Sequence, residues 1–195
     1  MLNSYSKLPI SFYNQDTISL AKSLLGKILV REIDGAVLSG RIVKTEAYLH
    51  DDPACHASRG MTPRNKPMFG EPGYTYVYFT YGFHYCLNIV SGKKGTAEAV
   101  LIRALIPIDG IDIMQKNRNK ENLKDLCSGP GKLTQALGIN KANNLTKLTG
   151  DIIYLADAEY KVKEMIEKPR IGIKEAVDKL WRFYPAELIE WVSKK

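Results

Sequence analysis

Between residues 16 and 26 the apolar positions fall at helical spacing, with Ile18, Leu20, Ala21, Leu24 and Leu25 forming one stripe. Asp16 or Thr17 can cap this helix and Gly26 ends it. The next two stretches, KILVREI and AVLSGRIVKTEAYL, read as strands joined at Asp34-Gly35, a pair that accepts the positive φ of a tight turn. Residues 50–72 are polar and rich in Pro and Gly, and read as a long ordered loop of the kind that often carries function. A second hairpin follows, with strands over Tyr74 to Thr80 and Phe83 to Val90 and a turn at Tyr81-Gly82. SGKKG turns the chain into AEAVLIRALIP, a largely apolar strand with Arg103 set inside it. Beyond Pro107 the pattern is helical to about Asn119, and the charged run KNRNKENLK after it reads as mobile. SGPGKLTQALGI places a Gly-rich turn before a short helix, where backbone amides could hold a phosphate. DIIYLAD and RIGI read as two further strands, and PAELIEWV as a closing helix packed by Leu188, Ile189, Trp191 and Val192.

The chain has 195 residues, enough for one well-packed domain, and shows no repeat or interdomain linker, so residues 1–195 are expected to form a single domain. Charge changes the picture more than length does. Twenty-eight Lys and Arg oppose twenty-one Asp and Glu, a net +7, which directs attention to polyanions, nucleic acid first and an anionic membrane second. No apolar run approaches the roughly 18 residues of a spanning helix, and no signal pattern opens the chain, so a soluble, cytoplasmic protein is expected. Three widely spaced cysteines make neither a disulfide framework nor a zinc motif. His50 and His56 lie near Asp51 and Asp52, but their spacing matches no metal motif, and no metal is expected.

The stretch TYVYFTYGFHYCLNI, residues 75–89, holds four tyrosines, two phenylalanines and a histidine. Each buried phenol needs a hydrogen-bond partner, so such density suits a surface that meets something flat and partly polar. Half-buried strands are also rich in aromatics, and that reading stands beside it. Strand alternation puts Tyr74, Tyr76 and Tyr78 on one face with Val77 and Phe79 on the other. It likewise aligns Ile42, Lys44, Glu46 and Tyr48. Glu46 is then a carboxylate at the end of a rigid strand, beside a Pro- and Gly-rich loop: a solvated charge, or a general base. Tyr81 at a turn would project from the sheet, where an exposed aromatic needs a partner, and a stacked duplex is one it could enter. Enzymes that act on a base buried in a duplex must extrude it, stack it between rings and fill the gap. Tyr48, Tyr78 and Tyr81, with Lys and Arg for the phosphates, supply a part for each task.

These residues sit in segments that resemble one family. LAKSLLGK at 20–27, GRIVKTEAYL at 40–49, HASRGMTPRN at 56–65, PGYTYVYFTYG at 72–82, HYCLNI at 84–89, AVLIRAL at 99–105 and LCSGPGKLTQALGIN at 126–140 run in the order found in the alkyladenine, or 3-methyladenine, DNA glycosylases. The resemblance implies an α+β fold: a curved, largely antiparallel sheet flanked by helices, a protruding DNA-intercalating hairpin, and likeness to the carboxy-terminal domain of methionyl-tRNA formyltransferase. It implies that Glu46 is the general base and that Arg103 helps hold the attacking water. Tyr48, His56 and Tyr78 would sandwich the flipped base, Asn88 would crowd the guanine amino group, and Tyr81 would intercalate. Arg64, Gly131 and Lys132 fall where the family meets the DNA backbone or supports the site.

The implied activity is base-excision repair: hydrolytic release of alkylated or deaminated purines such as 3-methyladenine, hypoxanthine or ethenoadenine, leaving an abasic site. No cofactor and no lyase step are expected. The partner is double-stranded DNA carrying a damaged purine, without a membrane or obligate protein partner. A monomer is expected, associated with the nucleoid in a bacterial cell. Three features depart from the family pattern: Phe83 stands where methionine is common, Ile106 where an acidic residue is usual, and residues 50–53 differ around the pocket loop. Without the likeness, Arg103 and Glu46 could be a structural ion pair. The competing function is a non-catalytic nucleic-acid-binding module on the same basic, aromatic surface, and Glu46 discriminates, because binding near phosphate gains little from a carboxylate.

Overall fold

The computed structural model describes residues 6–192. Its frame is one sheet of eight strands: β1 (Ile28–Ile33), β2 (Ala36–Tyr48), β3 (Thr75–Thr80), β4 (His84–Val90), β5 (Ala99–Asp109), β6 (Ile153–Ala156), β7 (Met165–Lys168) and β8 (Arg182–Pro185). The order along the sheet is β3-β4-β5-β2-β1-β6, and β8 joins β2 to β7. Every pairing is antiparallel. The result is a curved half-barrel with helices packed on it, a single domain of the α+β class.

Local chemistry explains the first half of the chain. Helix α1 (Thr17–Ser23) is capped by Asp16, whose carboxylate accepts the Ser19 amide at 2.9 Å. Leu20, Ala21 and Leu24 are fully buried, and each leucine contributes about 1.5–3 kcal/mol of transfer free energy. The predicted turn is present: Asp34 and Gly35 have φ of 50° and 77°, and Ile33 pairs with Ala36.

The long strand β2 departs from simple alternation. Its register against β5 slips between Ile42 and Lys44 and again between Lys44 and Thr45. An extra residue bends a strand and flips its faces. Ile42 and Ala47 therefore face the main core, and the Thr45 hydroxyl donates to the Ala21 carbonyl at 2.8 Å. Glu46 and Tyr48 point the other way. Ile42 does not share their face, contrary to the alternation expected from sequence.

Three other expectations are corrected. Strand β5 continues through Pro107, which pairs with Gly40 next to a register slip, the kind of irregularity where proline is found in sheets. Helix α2 (Ile111–Arg118) then begins after Gly110. The charged run at 116–124 is ordered, because Asn122 caps a short helix, α3 (Leu123–Leu126), by accepting the Lys124 amide. RIGI is not a strand. It lies between β7 and β8, where Pro169 lacks an amide donor and Gly172 has a φ of 81°. The closing helix is present over Ala186–Trp191 in 3-10 form, kinked at Leu188, and Leu188, Ile189, Trp191 and Val192 pack on the Val43 cluster.

Helix α4 (Pro130–Ala136) packs against β4, and two small residues allow it. A Cβ on Gly131 would lie 2.7 Å from His84 Cγ. The Thr134 hydroxyl donates to the Tyr85 carbonyl at 2.8 Å.

Candidate active site

The strands β2, β3, β4 and β5, the 50–72 loop and the 170–175 segment enclose a cavity of about 580 Å³. Tyr48, His56, Tyr76, Tyr78, Asn88 and Arg103 all line it. Beneath Tyr48 and Arg103, and not itself in the cavity wall, lies Glu46, which has no exposed surface. Its Oε2 accepts from Arg103 Nη1 at 3.0 Å and from the Tyr48 hydroxyl at 3.0 Å. Its Oε1 accepts the Ile171 amide at 2.9 Å. A buried carboxylate is tolerated only when paired and hydrogen-bonded, and three donors satisfy that need here.

The aromatic wall is built by β3 alternation. Tyr76 and Tyr78 stand on one face, 5.3 Å apart, while Val77 turns into the main core. Burial, then the neighbouring Glu46 charge, push the Tyr48 phenol well above its ordinary value, so it acts as a donor. Burial also raises Tyr78, and Tyr76 is pushed up to about 12 for the same reason. His56 comes from the loop and is exposed at the rim of the cavity. Its Nδ1 lies 3.1 Å from the Tyr76 hydroxyl and its ring centroid 4.4 Å from that of Tyr78. Packing around the ring, and then the nearby Arg64 charge, hold its pKa below the ordinary histidine value. The ring is therefore a neutral hydrogen-bonding group at pH 7. Asn88, opposite Tyr76 in the ladder, is buried and donates through Nδ2 to the Tyr76 carbonyl at 3.1 Å.

The loop is held by its own side chains. Asn65 Nδ2 donates to the carbonyls of His56 and Gly60, at 2.8 and 3.0 Å, and its Oδ1 accepts the Thr62 amide at 2.6 Å. His50 and His56 have separate partners, since His50 Nδ1 lies 2.7 Å from Glu98 Oε1. Among the described residues, no cluster of three or more His, Cys, Asp or Glu side chains could hold a metal ion.

Tyr81 sits in the β3–β4 turn with a φ of 53°, followed by Gly82 at 76°. It is 76% exposed and Phe83 68% exposed, so two large rings stand in water at the tip. Phe79 is 48% exposed and leans on Tyr85, centroids 5.0 Å apart. Arg64 braces this hairpin: Nη2 donates to the Phe79 carbonyl at 2.9 Å, and the guanidinium lies 5.2 Å from the Tyr78 ring centroid. Lys132 Nζ donates to Ser128 Oγ at 3.0 Å. Gly131 serves close packing of α4 on His84, while Pro130 beside it reaches the cavity wall. Ile106 packs with an apolar cluster around Val43, Ala104 and Tyr184.

Two contributions escaped the sequence reading. Tyr76, given no separate role above, lies within hydrogen-bond distance of His56 Nδ1. The segment Ile171–Glu175 forms a cavity wall and supplies the amide to Glu46. A backbone donor leaves no side-chain signature, so only Pro169 and Gly172, which forbid a regular strand there, could have marked it.

A glutamate and an arginine joined at the foot of an aromatic cavity, on a chain of net charge +7, match the equipment of an enzyme that works on a base drawn out of a helix. Comparison with known proteins agrees: the chain is a DNA glycosylase. Residues 11–188 match the model of the methylpurine-DNA glycosylase family, and the chain belongs to that family. A relative from Chlorobaculum tepidum is 54% identical over 183 residues, 92% of this chain and 88% of the relative. One from Carboxydothermus hydrogenoformans is 51% identical over 190 residues, 96% and 99% of the two chains. One from Francisella tularensis is 50% identical over 184 residues, 92% and 94%. All three carry the name "Putative 3-methyladenine DNA glycosylase".

Proposed function

We propose that this protein removes alkylated purines of the 3-methyladenine type, and deaminated or etheno-bridged ones, from double-stranded DNA by hydrolysis, leaving an abasic site. The observation that carries this reading is Glu46, buried yet fastened to Arg103 and Tyr48 at the foot of the cavity. The flipped base stacks between Tyr48, His56 and Tyr78, and Tyr81 fills the gap it leaves. Asn88 crowds the exocyclic amino group of guanine and so favours adenine-type lesions. Arg64 and Lys132 face the backbone phosphates from the hairpin side and from α4.

Oε2 of Glu46 already accepts two hydrogen bonds and Oε1 one, so the unfilled acceptor direction belongs to Oε1. In the reacting complex a water takes that open direction on Oε1. The water oxygen attacks the anomeric carbon, its proton passes to Oε1, and the electron pair of the glycosidic bond leaves with the purine. General-base help of this sort contributes roughly 10²–10⁴-fold. A cationic 3-methyladenine departs without further protonation. Hypoxanthine needs a hydrogen bond to the leaving group, which the polar pocket supplies. The route uses no Schiff base, so the strand is left uncut. The whole chain acts as one monomeric domain on cytoplasmic DNA.

The test incubates the protein with duplexes carrying 3-methyladenine, hypoxanthine or 1,N6-ethenoadenine and measures abasic sites before and after alkali. Abasic sites without direct strand breaks support the proposal. Binding with no release from any of the three would make the protein a lesion-binding module instead.

A further inference from the structure

Arg170 lies outside the motif segments quoted from the sequence, though within the stretch that matches the family, and its side chain is completely enclosed. It donates through both terminal nitrogens to the Asp52 carboxylate, through Nη2 at 3.0 Å, and through Nη1 to the Ala47 carbonyl at 3.0 Å. Its guanidinium packs 4.7 Å from the Tyr48 ring centroid and 5.1 Å from that of Trp181. Its Nε has no partner. Replacing such a pair with apolar residues is often neutral or stabilising, so stability is a weak account of why a charge is kept here. Geometry is a better one.

Three parts of the site converge on this guanidinium. Asp52 also accepts the Ala54 amide at 3.0 Å through Oδ1, setting the turn that brings Pro53, Ala54 and His56 to the cavity. Tyr48 is backed by the guanidinium on its face while its hydroxyl reaches Glu46. The residue after Arg170 is Ile171, whose amide occupies one acceptor direction of Glu46 Oε1 and leaves the other for water. Planarity matters, because a rigid fork can stack on a ring and grip a carboxylate with two bonds, which an ammonium cannot do.

We infer that Arg170 is a positioning residue for the hydrolysis: clamped by Asp52, it sets the Ile171 amide that orients Glu46 and the face of Tyr48 that meets the base. This rests on the proposed role of Glu46. The guanidinium touches neither base nor water, so its effect falls on the rate of bond cleavage more than on capture of the lesion.

The experiment compares wild type and Arg170→Lys on a hypoxanthine duplex. Single-turnover rate constants are measured at saturating enzyme, the active fraction is titrated with the same duplex, and the dissociation constant is measured separately. Arg170→Lys is expected to lower the rate constant by about 10- to 100-fold, the scale of a small misplacement of reacting groups, with a smaller change in affinity. Asp52→Asn, which removes the clamp's charge but keeps its shape, should act in the same direction and serves if the lysine variant does not fold. A lower active fraction or melting temperature with a rate constant within about threefold of wild type would reduce Arg170 to a structural residue. If wild type itself releases no base from any lesion, the functional proposal fails first and this one with it. If wild type is active and both variants match it, only this inference fails.

Discussion

Gly131→Ala places two opposing effects in one atom. Gly131 is the second residue of α4, where alanine would stabilise the helix by at most about 0.8–1.0 kcal/mol, the helix-interior value. The added Cβ, however, would sit 2.7 Å from His84 Cγ and 3.0 Å from both His84 Cβ and Nδ1. These atoms belong to the root of the side chain, so the ring cannot swing clear cheaply, and Phe83 packs against it with centroids 4.2 Å apart. Helix α4 cannot retreat either without stretching the Thr134 bond to the Tyr85 carbonyl. Overpacking of this kind costs about 1–3 kcal/mol, and three close contacts put the cost near the upper end. The net expectation is a loss of about 2 kcal/mol. For a chain of this size that lowers Tm by about 4–8 °C, read by circular dichroism on heating. A Tm equal to or above wild type would show that propensity outweighs the contact, and would refute the claim that this glycine exists for close packing.

Two further outcomes follow from exposed groups. Tyr81→Ala removes a ring that is 76% exposed. Melting should barely change, while capture of a lesion duplex weakens by about 1–3 kcal/mol, the worth of one aromatic stack; unchanged affinity in a titration would argue against a wedge. His50 has its pKa raised by its hydrogen bond to Glu98. That contribution to stability is complete below the ordinary value of 6.5 and is lost as pH rises through the raised folded value. Thermal melts of His50→Gln against wild type should diverge at low pH and converge at high pH, and a constant difference would exclude the link.

Much of the fold is written in local pattern. Asp34-Gly35 demands its turn, Asp16 its cap, and the alternation of Tyr74, Tyr76 and Tyr78 places a ring wall on one face. The failures have physical causes. A register slip near Val43 moves Ile42 to the other face from Glu46, and alternation carries no sign of such a slip. RIGI is apolar and short like a strand, yet Pro169 and the positive φ of Gly172 hold it irregular. The candidate site was legible where side chains gather: Arg103 and Tyr78 line the cavity and Glu46 bonds to Arg103. It was not legible where the backbone acts, at Ile171, or where burial depends on distant pairing, as for Arg170 with Asp52.

Those pairings give Glu46 its meaning, and Glu46→Gln tests it most directly. Single-turnover release of hypoxanthine from a duplex is measured at saturating enzyme, beside the affinity for the same duplex. The glutamine should release base at least about 100-fold more slowly while holding the lesion nearly as tightly as wild type. Release within about threefold of wild type would contradict the account, and leave Glu46 and Arg103 as a buried ion pair that only supports the cavity.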